Sequence, residues 1–362
     1  MVGDGHDGRM RHACAVSVVL ALCTGVLAAG PATADGPGRQ FDLQAHRGGA
    51  ALVVENTLPA FANALELGVS TLELDVQITA DGYPVVTHDR DPNPDKCIDT
   101  FPAFLGDPKF PYVPGTRYIR DLTLAQVRTI DCGTQRLAAF PEQRTAPGAR
   151  MPLLSEVFDL VRSYHADDVR LNIETKVEAG APEQTAPREQ FGQVVASEVH
   201  RAHIESQVTI QSFDWGALMR MREVAPELPL VALTNGQQFL QAAQPGASPW
   251  LGGLDIDDFP GSLQRQYVAA AASFGADAVS PVHGDPQGGS IEDPAYQPFT
   301  TADLVDAAHR QGMRVIPWTV DDRPTMTALL DLGIDGLITN RPDLLRAILA
   351  ERGYELPTPR HR

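Results

Sequence analysis

The feature that most constrains this chain is a repeated alternation of two patterns. Short apolar runs recur near residues 41–45, 71–78, 169–174, 208–211, 230–233, 276–280, 314–318 and 336–338. Between and after them lie stretches with helical periodicity, near 58–67, 154–164, 189–201, 215–223, 263–273, 302–311, 324–332 and 343–350. Strand-length runs alternating with amphipathic helices build a parallel sheet, because each parallel crossover needs its own connecting helix. Eight such pairs predict an α/β fold, a closed (β/α)8 barrel of the TIM type. One interval is too long for a βα loop. Residues 89–150, after strand two, are rich in proline and predict an inserted, loop-rich segment. Its one expected helix spans 124–130, capped by Thr123.

The first 34 residues read as an address rather than as part of the barrel, which is assigned to 35–362. Arg9, Arg11 and His12 precede an apolar run from Ala13 to Ala29, and Ala32-Thr33-Ala34 has the form of a signal-peptide cleavage site. That run is short for a membrane span, which needs about 20 residues. A secreted protein with no stable membrane anchor is expected. Leader removal leaves Cys97 and Cys132 as the only cysteines, a pair that reads as a disulfide in an oxidising compartment. Two buried free thiols are the alternative.

Charge narrows the partners. With 29 Lys+Arg against 46 Asp+Glu, the net charge is −17. That balance argues against nucleic acid, whose phosphates need a basic face. A small anionic substrate would require a local cation.

The barrel reading gives the polar residues their meaning. In Thr71-Leu72-Glu73-Leu74-Asp75-Val76-Gln77-Ile78 the apolar side chains alternate with Glu73, Asp75 and Gln77. A strand puts residues i and i+2 on one face. On a half-exposed antiparallel strand that polar face would simply be solvated. A barrel strand is covered outside by helices, so Glu73 and Asp75 point into the lumen, where adjacent carboxylates need a cation. Strand three repeats the pattern, with Asn172, Glu174 and Lys176 opposite Leu171 and Ile173. Glu73, Asp75 and Glu174 near the strands' C-terminal ends suit one hard divalent ion, Ca²⁺ or Mg²⁺. The sequence holds no Cys/His cluster of the zinc kind.

His46 falls at the end of strand one and His88 just beyond the Asp81-Gly82 turn after strand two. A lone histidine is more often a packing residue. Two at the mouth of a barrel, beside a carboxylate cluster, suit general acid/base work. Arg47 and Lys176 are the nearest candidates to hold an anion, with ordinary ion pairing to the same carboxylates as the alternative.

These residues fall in a longer pattern. His46-Arg47-Gly48, Glu55-Asn56-Thr57, Ala60-Phe61, Gly68, Glu73-Leu74-Asp75-Val76, Thr79, Asp81-Gly82, Val85-Val86 and His88-Asp89 occur in that order. Leu153-Leu154-Ser155-Glu156, Ile173-Glu174-Thr175-Lys176, Ser212-Phe213, Trp318-Thr319-Val320 and Gly336-Leu337-Ile338-Thr339-Asn340-Arg341-Pro342 follow. The whole resembles the glycerophosphodiester phosphodiesterase family, with Val54 where that family usually has proline. The resemblance implies metal-dependent hydrolysis of small-molecule glycerophosphodiesters to glycerol 3-phosphate and an alcohol. It implies Glu73, Asp75 and Glu174 as metal ligands and His46 and His88 as the acid/base pair. Arg47 and Lys176 would hold the phosphate and Glu55 would support substrate or metal. Trp318 would stack against the glycerol, unless it only packs the barrel. His283 is a further pocket candidate, Gln211 would line the floor, and Thr57 would cap the helix that follows. A related barrel phospholipase acting on intact phospholipids or sphingolipids is the alternative enzyme. The cluster Phe101, Phe104, Phe110 and Tyr112 is the only aromatic group in the insertion that would serve it. A barrel that binds a phosphorylated ligand without turnover is the alternative outside enzymes.

Overall fold

A computed structural model describes residues 40–113 and 117–362 of the chain. The expected leader over 1–34 lies outside the described residues. Eight parallel strands form the barrel: β1 (Asp42–Ala45), β2 (Thr71–Ile78), β3 (Arg170–Thr175), β4 (Val208–Ser212), β5 (Leu230–Thr234), β6 (Ala278–Pro281), β7 (Arg314–Val315) and β8 (Gly336–Thr339). Neighbouring strands pair in sequence order from β1 to β7, and β8 pairs with β1. Strand β7 is shorter than the apolar run 314–318 predicts. Pro317 has no N–H to give to a ladder, so the last seam closes through single backbone bonds. Asp335 N donates to Val315 O at 3.0 Å, Ile338 N to Pro317 O at 3.0 Å, and Val320 N to Ile338 O at 3.2 Å.

Register decides which side chains meet inside. Along β2 and β3, Glu73 stands opposite Asn172 and Asp75 opposite Glu174, while Glu174 also faces Gln211 on β4. Leu72, Leu74, Leu171 and Ile173 point the other way and are fully buried, packed with Phe61, Leu65 and Phe158 from the surrounding helices. These helices begin where local chemistry starts them. Thr57 caps Leu58–Leu67, its hydroxyl accepting from Ala60 N, and Asp214 and Thr301 cap Trp215–Val224 and Ala302–Arg310 in the same way.

The segment after β2 departs from a plain βα loop. The chain turns at Gly82 (φ +86°) and returns as a short strand, Pro84–Val86, antiparallel to the end of β2. Thr87 N then donates to Asp75 O at 3.0 Å, which brings His88 back to the barrel mouth. The insertion that follows is more ordered than its composition suggests. Ile98–Asp99 pairs with Ile130–Asp131, the Cys97–Cys132 disulfide closes beside that pairing, and Tyr112, Ile119, Leu122, Val127 and Met151 make a small separate core. The helix expected over 124–130 stops earlier, at Leu124–Val127. Thr123 does cap it, in a reciprocal box with Gln126. Ile130 is taken by the strand instead, since pairing with Asp99 competes for its backbone.

Candidate active site

A cavity of about 550 Å³ opens at the C-terminal ends of the strands. One side is polar and charged, lined by His46, Arg47, Glu73, His88, Glu174 and Lys176. The other is aromatic, with Phe213, Phe239, Trp250 and Trp318.

The charged half is built from the strand ends. Glu73, Asp75 and Glu174 each offer a carboxylate oxygen, and these atoms lie within 4.8 Å of one another. All three residues are buried. Their other bonds orient them: Gln211 Nε2 donates to Glu73 Oε1 at 2.8 Å, Arg47 N to Glu73 Oε2 at 2.9 Å, and Asn56 Nδ2 to Asp75 Oδ2 at 2.8 Å. Two cations lean in. Lys176 Nζ is 2.7 Å from Glu174 Oε1 and 3.6 Å from Asp75 Oδ1, while Arg47 Nε is 3.2 Å from Asp75 Oδ2. Arg47 reaches this place through a left-handed residue (φ 52°) followed by Gly48 (φ +83°). A Cβ on Gly48 would sit 2.8 Å from the Ala60 backbone, so the turn needs glycine for space as well as for angle.

The electrostatics leave the trio short of positive charge. Burial, then the charges of Asp75 and Glu174, raise Glu73 well above the usual carboxylate range. Glu174 is pushed up to about 7, chiefly by burial. Burial pushes on Asp75 too, but the neighbouring Lys176 and Arg47 cations hold it far below its ordinary value. Asp75 Oδ1 is buried and accepts no hydrogen bond. An orphaned carboxylate oxygen among three converging carboxylates, with no thiolate nearby, fits a hard divalent cation.

The histidines flank this cluster and differ in their backing. His46 Nδ1 lies 2.7 Å from Asn340 Oδ1, with Nε2 4.0 Å from Glu73 Oε2. His88 Nδ1 lies 2.7 Å from Asp89 Oδ1, and Lys96 and Asn93 hold the other Asp89 oxygen at 2.9 and 3.0 Å. Burial first, then the charge of Arg47, lowers His46 to about 3 and His88 to about 4. Both imidazoles are neutral at neutral pH in the absence of added charge.

The remaining candidates divide. Glu55 does not line the cavity. It accepts from Arg47 Nη1 at 3.1 Å and Lys96 Nζ at 2.8 Å, and so sits behind the arginine. Trp318 lines the cavity and also packs, giving its indole N–H to Ser280 O at 3.0 Å and meeting Phe213 edge-on at 5.1 Å. His283 is not brought to the site. It is buried between Tyr296 Oη and Gln287 O, at 2.9 and 2.6 Å from its two ring nitrogens. In the insertion, Phe110 and Tyr112 pack together, while Phe101, Phe104 and Leu105 are exposed and none of them lines the cavity. Sequence reasoning gave no role to Asp89, Asn340, Phe239 or Trp250. Asn340 and Phe213 stood in the recognised runs without a function, and nothing local marked Phe239 or Trp250.

A buried carboxylate trio suited to a hard cation, two cationic side chains and two histidines at a barrel mouth define a hydrolase of phosphoric esters. The sequence profile of the glycerophosphoryl diester phosphodiesterase family matches residues 46–344. The chain belongs to that family and is a phosphoric diester hydrolase. A glycerophosphodiester phosphodiesterase of Caldanaerobacter subterraneus subsp. tengcongensis is 28% identical over 309 residues, covering 85% of this chain and 98% of the relative. One from Bacillus subtilis is 26% identical over 316 residues, 86% of each. Among solved structures, a protein of Silicibacter pomeroyi assigned to the glycerophosphoryl diester phosphodiesterases superposes with a TM-score of 0.69 at 29% identity, over 88% of this chain and 97% of that one. An Oleispira antarctica phosphodiesterase, solved with its product sn-glycerol-3-phosphate, shares the fold at a TM-score of 0.60 and 17% identity, over 85% and 96%.

Proposed function

We propose that this enzyme hydrolyses glycerophosphodiesters to glycerol 3-phosphate and an alcohol, using a divalent ion and the pair His46 and His88. The observation that carries the reading is the meeting of both histidines with Glu73 and Glu174 on the wall of one cavity, with buried Asp75 completing the carboxylate cluster. Glu73, Asp75 and Glu174 would hold Ca²⁺ or Mg²⁺, which when bound offsets negative charge on the phosphoryl oxygens. Arg47 and Lys176 add positive charge on the same side, so that a chain of net charge −17 admits an anionic diester. His46, backed by a neutral amide, takes the proton of the attacking hydroxyl. That step is the same for water and for the substrate's own glycerol hydroxyl. His88 is neutral in the free site, but the Asp89 carboxylate raises its proton affinity. With the anionic diester bound it is the better place for an imidazolium and gives its proton to the departing alkoxide.

The test is the release of glycerol 3-phosphate from a panel of glycerophosphodiesters, with and without a chelator. No release from any member, with or without added metal, overturns the reading. Exposed Phe101, Phe104 and Leu105 favour a second reading, a phospholipase on intact lipid. Because these side chains do not line the cavity, the soluble diester is preferred, and a faster rate on phospholipid vesicles would reverse that order. We also propose that residues 1–34 are cleaved on export. The Cys97–Cys132 bond supports this, and N-terminal sequencing of the exported protein tests it. Among the described residues no helix is long and apolar enough to cross a membrane.

A further inference from the structure

A chain of hydrogen bonds leads away from His46 to a residue outside the cavity wall. Asn340, the residue after β8, turns its Oδ1 to His46 Nδ1 at 2.7 Å and gives its Nδ2 to Asp321 Oδ2 at 2.7 Å. Asp321, in the loop after β7, is itself held in place. Its Oδ1 accepts from Asn340 N at 2.8 Å and from Thr339 Oγ1 at 3.1 Å. None of these groups belongs to the carboxylate trio.

The polarity of that chain has one consistent solution. An ionised carboxylate only accepts, so the Asn340 NH2 must face Asp321 and its oxygen must face His46. An amide oxygen also only accepts, so neutral His46 must carry its hydrogen on Nδ1. We propose that Asp321 and Asn340 are a positioning pair that selects this tautomer of His46. The lone pair is thereby left on Nε2, the nitrogen 4.0 Å from Glu73. A base aimed into the cavity needs its lone pair there; the opposite tautomer, which histidine prefers in water, would present a hydrogen instead. Neither residue touches substrate in this scheme. Each acts through His46, and the inference rests on the reading of His46 as the base.

The experiment begins with the unaltered protein. With ¹⁵N-labelled histidine at pH 7.5 in Mg²⁺, the His46 resonances, identified by their loss in His46→Gln, are expected to show a protonated Nδ1 and a bare Nε2. A protonated Nε2 overturns the proposal outright. Asp321→Asn is the isosteric variant. It keeps an oxygen for Asn340 N and Thr339 but presents an NH2 to the Asn340 amide. That amide then turns round, and its own NH2 claims the His46 Nδ1 lone pair. The expected result is the exchanged tautomer and a kcat lower by about 10–100-fold, the usual cost of losing such an outer partner, with KM little changed. Asp321→Ala, which leaves the amide free to turn, is expected to fall between. In a His46→Ala background, Asp321→Asn should cost nothing further, because residues acting as a unit are non-additive. If His46→Ala collapses while Asp321→Asn keeps both kcat and tautomer, the pair is refuted and His46 stands as the base. If His46→Ala itself keeps its rate, the reading of His46 as base fails instead, and the pair is then judged on the tautomer alone.

Discussion

Lys176 Nζ lies 2.7 Å from Glu174 Oε1, joining a buried carboxylate near the end of β3 to a half-buried lysine just past it. A cation suited to a substrate phosphate is thus spent on a neighbouring carboxylate. Even so, burial keeps Glu174 up at about 7. A glutamate raised in the folded state binds its proton more tightly there than in the unfolded chain. Its stabilising effect is therefore full at low pH and is lost as pH rises from about 4.5 through about 7. His46 and His88, lowered on folding, pull the other way over part of that range. The informative quantity is therefore the difference between wild type and Glu174→Gln. In chelator, thermal melts at pH 5 should nearly coincide, whereas at pH 8 the variant should melt higher. Equal melting temperatures at both pH values would contradict the electrostatics of the cluster.

A bound divalent ion should reverse that order. Ligands that bind only the folded state add stability by mass action, about 2.7 kcal/mol at a hundredfold excess over Kd. Wild type should gain melting temperature with Ca²⁺ or Mg²⁺, more at pH 8 than at pH 5, since the carboxylates must be ionised to bind. Glu174→Gln should gain much less. Chelation should abolish turnover and one of these ions should restore it; full activity after exhaustive chelation would remove the metal from the mechanism.

The histidines should separate by leaving group. General acid–base groups contribute on the order of 10²–10⁴-fold, and His46→Ala and His88→Ala are each expected to lose rate in that range on a natural diester. A nitrophenolate departs without a proton. On a nitrophenyl diester His88→Ala should recover most of its rate, while His46→Ala stays slow. Equal losses on both substrates would refute the division of roles drawn from the Asn340 and Asp89 partners.

The disulfide should matter to stability rather than to chemistry. Cys97 and Cys132 close a loop of 35 positions, for which chain-entropy arithmetic gives roughly 3–4 kcal/mol. Cys97→Ala/Cys132→Ala should unfold at lower denaturant, with kcat changed little, because neither cysteine lines the main cavity. A variant as stable as wild type would show that the insertion's small core around Tyr112 and Ile119 suffices alone.

Much of the barrel was written in local pattern. The strand β2 announces its lumen face because apolar and acidic residues alternate over Thr71–Ile78, and a period of two needs no knowledge of the rest of the chain. Thr57 and Thr123 announce helix starts for the same reason, since a cap bonds only a few residues ahead. Glu73 and Asp75 were legible as a pair two apart, and His46 and His88 as residues just past strand ends.

What only the tertiary structure decided depends on closure of the barrel. Asn340 reaches His46 across 294 positions because β8 pairs with β1, and no spacing in the sequence encodes that neighbour. Phe213, just after β4, and Phe239 and Trp250, from the connection after β5, gather on one wall. His283 is held away by its own segment after β6, where its ring nitrogens are taken by Tyr296 and Gln287. Ile130 left its expected helix because Asp99, far back in the chain, offered a strand partner. Periodicity is a property of neighbours in sequence and so determined the elements. Which side chains converge, and which atom of an imidazole faces the cavity, follows from contacts that exist only once the ends of the barrel meet.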